Sequence, residues 1–284
     1  MSPYLLPDAF LESLLQDDSP CGDATTFALG IGQQAGQLVF RARQAMVLCG
    51  SEEALRMGEM RGLTMIAPMR DSGSRLQAGD EILRLNGNAA NLHVVWKTAQ
   101  TLMEYLSGIA TGVADIVAAA RRGNPETSVV CTRKNFPGTK AAALKAALSG
   151  GAAPHRLNLS ETLLVFPEHR AFLRDETPEA TLERLRHRWP ERAVVVEVDN
   201  EADATRWIAA GVEVLQLEKM SVDMLTRIAS HPAVRGQHTK IAAAGGINAS
   251  NAEAYAQAGA RILVTSAPYS APPRDVAVTL EPVT

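Results

Sequence analysis

Beyond about residue 122 the chain settles into one repeating rhythm, and this rhythm restricts its fold more than any other feature. Short apolar runs rich in β-branched residues occupy 128–132, 162–166, 193–198, 214–217, 240–244 and 262–265. Their continuous apolar character is that of parallel strands buried on both faces. Ala-rich stretches of helical spacing lie between them, at 139–148, 178–189, 201–210, 221–230 and 251–258. Alternating strands and helices call for a parallel sheet. A complete eight-fold barrel takes about 250 residues, whereas only about 165 remain here, so an open, incomplete (β/α) barrel is expected.

The first hundred residues follow a different pattern. A helix is expected over 7–17, with Leu11, Leu14 and Leu15 on one face. Residues 19–26 read as a turn-rich loop. Strands are expected at 37–43, where Leu38, Phe40 and Ala42 alternate, and at 45–49, 63–68 and 81–85. Ser51 stands as an N-cap ahead of Glu52 and Glu53, and Asn86-Gly87-Asn88 reads as a turn. A helical pattern over 91–122 is broken at Ser107-Gly108. Together these describe a small α+β domain ending near residue 102.

Composition narrows the function. The 284 residues carry a net charge of −3 and only 5 % aromatics, so an extended nucleic-acid surface and base-stacking platforms are not expected. Apolar runs are far shorter than the ~20 residues of a membrane helix, and the start of the chain lacks the pattern of a signal peptide. A cytoplasmic protein with no membrane partner is the expectation. Three cysteines without a C-x-x-C pair argue against a disulfide framework or a zinc site.

In an α/β barrel the working residues sit just past the C-terminal ends of the strands. Four such places stand out. Arg133 and Lys134 follow one strand, and Glu197 lies within another. Glu218 ends a third, and Gly245-Gly246 follows a fourth. Residues 131–160 contain five Lys or Arg and no acid, which points to a local anion site. Within that stretch Arg133, Lys134 and the pair His155-Arg156 read as functional, while Lys140 and Lys145 read as a solvated helix face. The paired glycines before a helix start can cradle a phosphate. Glu197 and Glu218 suit Mg²⁺, which often takes one or two carboxylates together with substrate oxygens. The whole is a cup for a substrate carrying several phosphates, or phosphates and carboxylates. Nucleophile-elbow, Walker and dinucleotide glycine motifs are absent from the sequence.

These residues resemble a known family. Thr132-Arg-Lys-Asn-Phe-Pro-Gly138 is similar to its T-R-K-T-x-P-G motif, and Gly150-Gly151 with His155-Arg156 to its G-G-G-x-x-H-R. Ser107-Gly-Ile-Ala-Thr111 matches its S-G-I-A-T. Val194-Val-Val-Glu197, Leu217-Glu218 and Ala244-Gly-Gly-Ile247 stand where it has V-E-V-E, L-D-N and S-G-G-I, and Gly22-Asp23 with Thr25-Thr26 resembles its G-D-x-T. The family is quinolinate phosphoribosyltransferase, the carboxylating nicotinate-nucleotide pyrophosphorylases. The departures resemble its ModD branch, which is associated with molybdenum-transport operons.

The resemblance implies an N-terminal α/β sandwich over 1–102, the open barrel over 103–270, and a tail over 271–284 that returns to the N-terminal domain. It implies a homodimer, or an oligomer of dimers, with active sites shared between subunits. It also implies Mg²⁺, phosphoribosyl pyrophosphate (PRPP) and a nitrogen-heterocycle acceptor. Carried over by position, Thr132, Arg133, Lys134, His155 and Arg156 would bind anionic substrate groups, with Lys134, Glu197 and Glu218 catalytic. Glu197 and Glu218 would face the ribose and metal, and Ala244, Gly245, Gly246 and Ser266 the 5′-phosphate. Lys97 stands in place of an Arg that reaches across the dimer, and Phe166 in place of a Lys. Leu144 replaces another Lys, Lys219 an Asn and Ala244 a Ser. The expected activity is therefore phosphoribosyl transfer to an acceptor other than quinolinate. The rival expectation is a catalytically reduced protein that binds a phosphorylated metabolite in molybdenum handling.

Overall fold

The computed structural model describes residues 5–173, 175–236 and 238–283. In chain order the elements begin α1 (Asp8–Asp18), α2 (Ala24–Leu29), β1 (Ala35–Ala42), β2 (Met46–Val47), α3 (Ser51–Met60), β3 (Thr64–Met65), β4 (Arg75–Leu76), β5 (Glu81–Asn88), α4 (Ala89–Gly123) and β6 (Ser128–Cys131). Then come α5 (Lys140–Ser149), β7 (Ala153–Pro154), β8 (Leu163–Val165), α6 (Pro167–Arg170), α7 (Pro178–Arg188), β9 (Val194–Val198), α8 (Glu201–Ala209) and β10 (Val214–Glu218). The chain continues through α9 (Val222–Ala229), α10 (Pro232–Arg235), β11 (Lys240–Ala244), α11 (Ala252–Gln257), β12 (Ile262–Thr265) and β13 (Val276–Pro282). Two compact units result. The first takes the residues up to Ala114 together with Phe136–Gly151 and the segment from Pro268 on, and the second takes Asp115–Asn135 and Ala152–Ala267.

In the first unit an antiparallel sheet has the order β13-β1-β5-β3. β1 lies between β13 and β5, with Leu38 opposite both Leu280 and Leu85. Leu38, Phe40 and Ala42 are buried in a core that also holds Leu11 and Leu15 of α1 and Met57 of α3. Leu92, Val95 and Met103 of α4 complete that core. Asp23 caps α2, its carboxylate accepting from the Thr26 amide at 2.6 Å, so part of the expected loop is helical.

Several local expectations are corrected here. Ser51 is the first helical residue of α3 and makes no side-chain cap; Gly50, at φ 100°, precedes it. Asn86-Gly87-Asn88 does not turn but extends β5 directly into α4. Gly87 serves packing instead, because a Cβ there would collide with the Leu63 side chain. α4 runs unbroken through Ser107-Gly108. Gly108 lets the Pro272 carbonyl approach the helix, and the Ser107 hydroxyl accepts from the Cys49 amide at 2.9 Å. By length and composition α4 could cross a membrane, contrary to the reading of uniformly short apolar runs, but 61 % of its apolar window is buried, as in a core helix.

Lys145 is not on a solvated face. It is fully buried and donates to Glu53 at 2.5 and 2.7 Å and to Glu52 at 2.9 Å. Glu52 also accepts from the Ser72 amide and hydroxyl, and Glu53 from the Leu6 amide. A buried cation needs such partners, since desolvation otherwise costs several kcal/mol. Lys140, one turn earlier in α5, is exposed as expected.

The second unit is built on a parallel sheet of seven strands in the order β7-β6-β12-β11-β10-β9-β8. Every neighbouring pair is parallel, and among the described residues β7 and β8 at its two ends do not pair, so the barrel stays open. Val194, Val196 and Val198 of β9 are fully buried, as are Leu215 of β10, Ile241 of β11 and Leu263 of β12. The alternating sequence thus yields the α/β fold. β7 is the strand the sequence hides, having two residues and no β-branched side chain.

Candidate active site

Parallel strands all end on the same side of their sheet, so residues just past those ends converge. Here they surround a cavity of about 540 Å³ to which all seven strands contribute. Thr132, Arg133 and Lys134 come from the end of β6, His155 and Arg156 from β7, and Phe166 from β8. β9 gives Glu197, β10 gives Gln216, Glu218 and Lys219, and the turn after β11 gives Ala244–Ile247. Ser266 follows β12. Four cationic side chains thus face two carboxylates. Of the residues expected to bind substrate or metal, Lys97 is the one that does not line this cavity. It is exposed on α4, its ammonium 4.4 Å above the Trp96 ring and 3.3 Å from Gln100 Oε1.

The basic wall is short of anions. Burial and then the neighbouring Arg133 guanidinium hold Arg156 below the usual range for an arginine. The ring of His155 is pushed down to about 4, first by burial and then by the Arg156 charge, while Gln216 counteracts in part. His155 is therefore neutral at physiological pH, and an anion bound here would relieve the crowded positive charge. The His155 amide donates to the Cys131 carbonyl at 2.9 Å, which ties the start of the wall to β6. The Arg156 guanidinium lies 5.6 Å from the centre of the Phe166 ring, which also stacks with His169.

On the acidic side, β9 and β10 place Glu197 and Gln216 directly abreast. Gln216 Nε2 donates to Glu197 Oε2 at 2.6 Å. Burial raises the Glu197 carboxyl above the ordinary range, and the negative charges of Glu218 and Glu168 add to this. Hydrogen bonding from Gln216 and the charge of Lys134 act the other way. Gln216 is 3 % exposed and escaped the reading of the sequence. Its signal was one amide in the otherwise apolar run Val214-Leu-Gln-Leu217, on the sheet face it shares with Glu218.

The cradle after β11 is built from backbone. Gly245 and Gly246 both take left-handed conformations, at φ 84° and 80°. Gly245 has no room for a side chain: a Cβ would stand 2.5 Å from Lys219 Cγ and 2.8 Å from Glu218 Oε1. Gly246 opens onto free space, so a ligand can approach its backbone. The turn is fixed from behind, since Asn248 and Asn251 side-chain amides donate to the Gly246 carbonyl and the Thr265 hydroxyl to that of Ile247. Lys219 has φ 54°, the one non-glycine residue with positive φ among those described. Such strain is concentrated at functional sites. Among the described residues no group of three or more His, Cys, Asp or Glu could hold a metal by itself.

Comparison with known proteins gives this constellation its context. Residues 23–107 match the family model of the quinolinate phosphoribosyl transferase N-terminal domain, and residues 109–279 that of the C-terminal domain. A Rhodobacter capsulatus protein named "Putative pyrophosphorylase ModD" is 43 % identical over 261 residues, covering 91 % of this chain and 99 % of its own. A ModD protein of the same name from Pasteurella multocida is 33 % identical over 278 residues, with 96 % and 97 % covered. The crystal structure of NadC from Streptococcus pyogenes superposes over the full length of both chains with a TM-score of 0.90 at 26 % identity. Both halves of the chain match in order, and the chain belongs to the quinolinate phosphoribosyl transferase family of pentosyltransferases.

Proposed function

We propose that this enzyme transfers the phosphoribosyl group of PRPP to a nitrogen heterocycle other than quinolinate, with release of pyrophosphate. The observation that carries the reading is the single cavity in which the Gly245-Gly246 cradle faces Glu197, Glu218 and the Arg133–Lys134–Arg156 wall. In the reaction a ring nitrogen bonds to C1 of the ribose as the C1–O bond to pyrophosphate breaks, and the bonding electrons leave with pyrophosphate. The cradle and Ser266 would hold the 5′-phosphate. Arg133, Lys134 and Arg156 would take anionic oxygens, where guanidinium groups offer paired donors. Glu197 and Glu218 would orient the ribose and stabilise positive charge developing at C1.

The residues also fit Mg²⁺. Burial and the neighbouring Glu218 charge raise the proton affinity of Glu197, a cost a dication would relieve, and Mg²⁺ is commonly held by one or two carboxylates plus substrate phosphates rather than by a full protein cage. When bound, the ion would neutralise charge on the departing pyrophosphate. The active assembly in this reading is a homodimer in which Lys97 of one subunit serves the partner's site.

The acceptor half of the cavity argues against quinolinate, which brings two carboxylates. Phe166 contributes an apolar ring at the end of β8, and the nearby Arg156 guanidinium lies over that ring. An unpaired carboxylate in a desolvated pocket would cost about 3–5 kcal/mol. Pyrophosphate release with quinolinate, Mg²⁺ and PRPP should therefore be feeble in the wild type and rise at least about tenfold in Phe166→Lys. Efficient wild-type turnover, above roughly 10⁴ M⁻¹s⁻¹ in kcat/KM, with no gain in the variant would restore quinolinate as the substrate.

A further inference from the structure

The turn after β11 offers donors but no positive charge of its own. It reads Ala244-Gly-Gly-Ile247, so every donor in it is a backbone N–H. The polar side chains behind it are engaged with the turn itself: Asn248 and Asn251 donate to the Gly246 carbonyl, and Thr265 to that of Ile247. A carboxylate also stands against it, since Glu218 Oε1 lies 2.8 Å from where a Gly245 Cβ would be. An anion seated here would meet that negative charge unless a cation stood beside it.

One cation of the cavity borders the turn. Lys219 follows Glu218 at the end of β10, and its amide donates to the Ala244 carbonyl at 2.8 Å. Its stem fills the room that a side chain at 245 would need, with Cγ 2.5 Å from the position of that Cβ. Two methylene groups separate Cγ from the ammonium, so the charge stays beside the turn whatever the rotamer. The φ of 54° is costly for a lysine, and such strain persists only where the surrounding structure holds it. Lys219 is exposed and lines the cavity, and its ammonium has neither ion pair nor hydrogen bond among the described residues. Arg133, Lys134 and Arg156 come instead from the ends of β6 and β7, and β12 separates these from the strand that carries the turn.

We propose that Lys219 supplies the charge this cradle lacks: its ammonium binds the monoester phosphate of a sugar phosphate seated on Gly245-Gly246, while the Arg133–Lys134–Arg156 wall takes the pyrophosphate. The inference rests on the phosphoribosyl-transfer reading for the identity of the sugar, but not for the binding of a phosphate monoester.

Calorimetric titration of ribose 5-phosphate, and separately of pyrophosphate with Mg²⁺, into the full chain tests it. Lys219→Asn removes the charge with a residue that tolerates the left-handed conformation, and Lys219→Arg keeps the charge. Ribose 5-phosphate should bind the wild type saturably and Lys219→Asn about tenfold or more weakly. Lys219→Arg should retain most of the affinity, and pyrophosphate should bind all three alike. No binding of ribose 5-phosphate to the wild type, or equal affinities in the wild type and Lys219→Asn, would overturn the inference. So would an equal loss for both ligands, the mark of a diffuse effect of net charge, or a loss as large in Lys219→Arg as in Lys219→Asn. PRPP is titrated in the same series. Failure of PRPP to bind, with ribose 5-phosphate still held through Lys219, would count against phosphoribosyl transfer and leave the role of Lys219 standing.

Discussion

Lys145 shows how far burial can reverse the meaning of a single residue. Lysine is normally exposed, and the basic stretch 131–160 suggested a solvated face, yet this ammonium is enclosed by Glu52 and Glu53. The misreading has a physical cause: the two acids lie more than ninety positions earlier in the chain, and no local spacing announces them. Removing one partner from such a group strands the others. Lys145→Met should lower the unfolding free energy by about 3–5 kcal/mol, read from urea denaturation of the full chain, whereas Lys140→Met on the exposed face should change it little. Equal, small effects at both positions would show that the ion group contributes nothing beyond its packing. The residues that line the cavity were more legible. Arg133, Lys134, Glu197, Glu218 and the paired glycines stand at strand ends, where sequence position alone implies convergence. Gln216 was not legible because an amide inside a strand has no motif, and its significance comes from the neighbour that register places beside it.

Elements of the second unit were read well because buried parallel strands are continuous apolar runs, a signal that needs no tertiary context. β6, β8, β9, β10, β11 and β12 all fall on the runs seen in the sequence. The failures share the opposite character. Asn86-Gly87-Asn88 and Ser107-Gly108 carry strong local turn or breaker signals, and packing overrides them in both places. At Gly108 the intrinsic preference of a helix for alanine is set against the nearby Pro272 carbonyl. Gly108→Ala should therefore destabilise the protein by about 1–3 kcal/mol, despite the better helix propensity of alanine, as measured by urea or thermal unfolding. An increase in stability would mean that the segment around Pro272 yields freely. The return of the tail as β13, by contrast, was expected from the family resemblance alone. Its partner β1 is more than two hundred residues away, and the pairing of Gly36–Ala42 with Val276–Pro282 is invisible to any local window.

At the scale of the molecule, a family architecture surrounds a cavity with two unlike halves. In the proposed reading, the half that would face phosphate joins the left-handed Gly245-Gly246 turn to Arg133 and Arg156, whose charges repel one another. The half that would face the acceptor holds Phe166, a neutral His155 and the Gln216 carboxamide. Such a division predicts that PRPP recognition is independent of the acceptor and depends on the acids that would share the metal. The most direct measurement is calorimetric titration of PRPP into the wild type and into Glu197→Gln, each with and without Mg²⁺. The account predicts saturable binding to the wild type in the range of about 1 μM to 1 mM, strengthened by Mg²⁺, and loss of that Mg²⁺ dependence in a Glu197→Gln protein that still unfolds cooperatively. Absence of PRPP binding to the wild type with Mg²⁺ present, or the same Mg²⁺ dependence in both proteins, would contradict it.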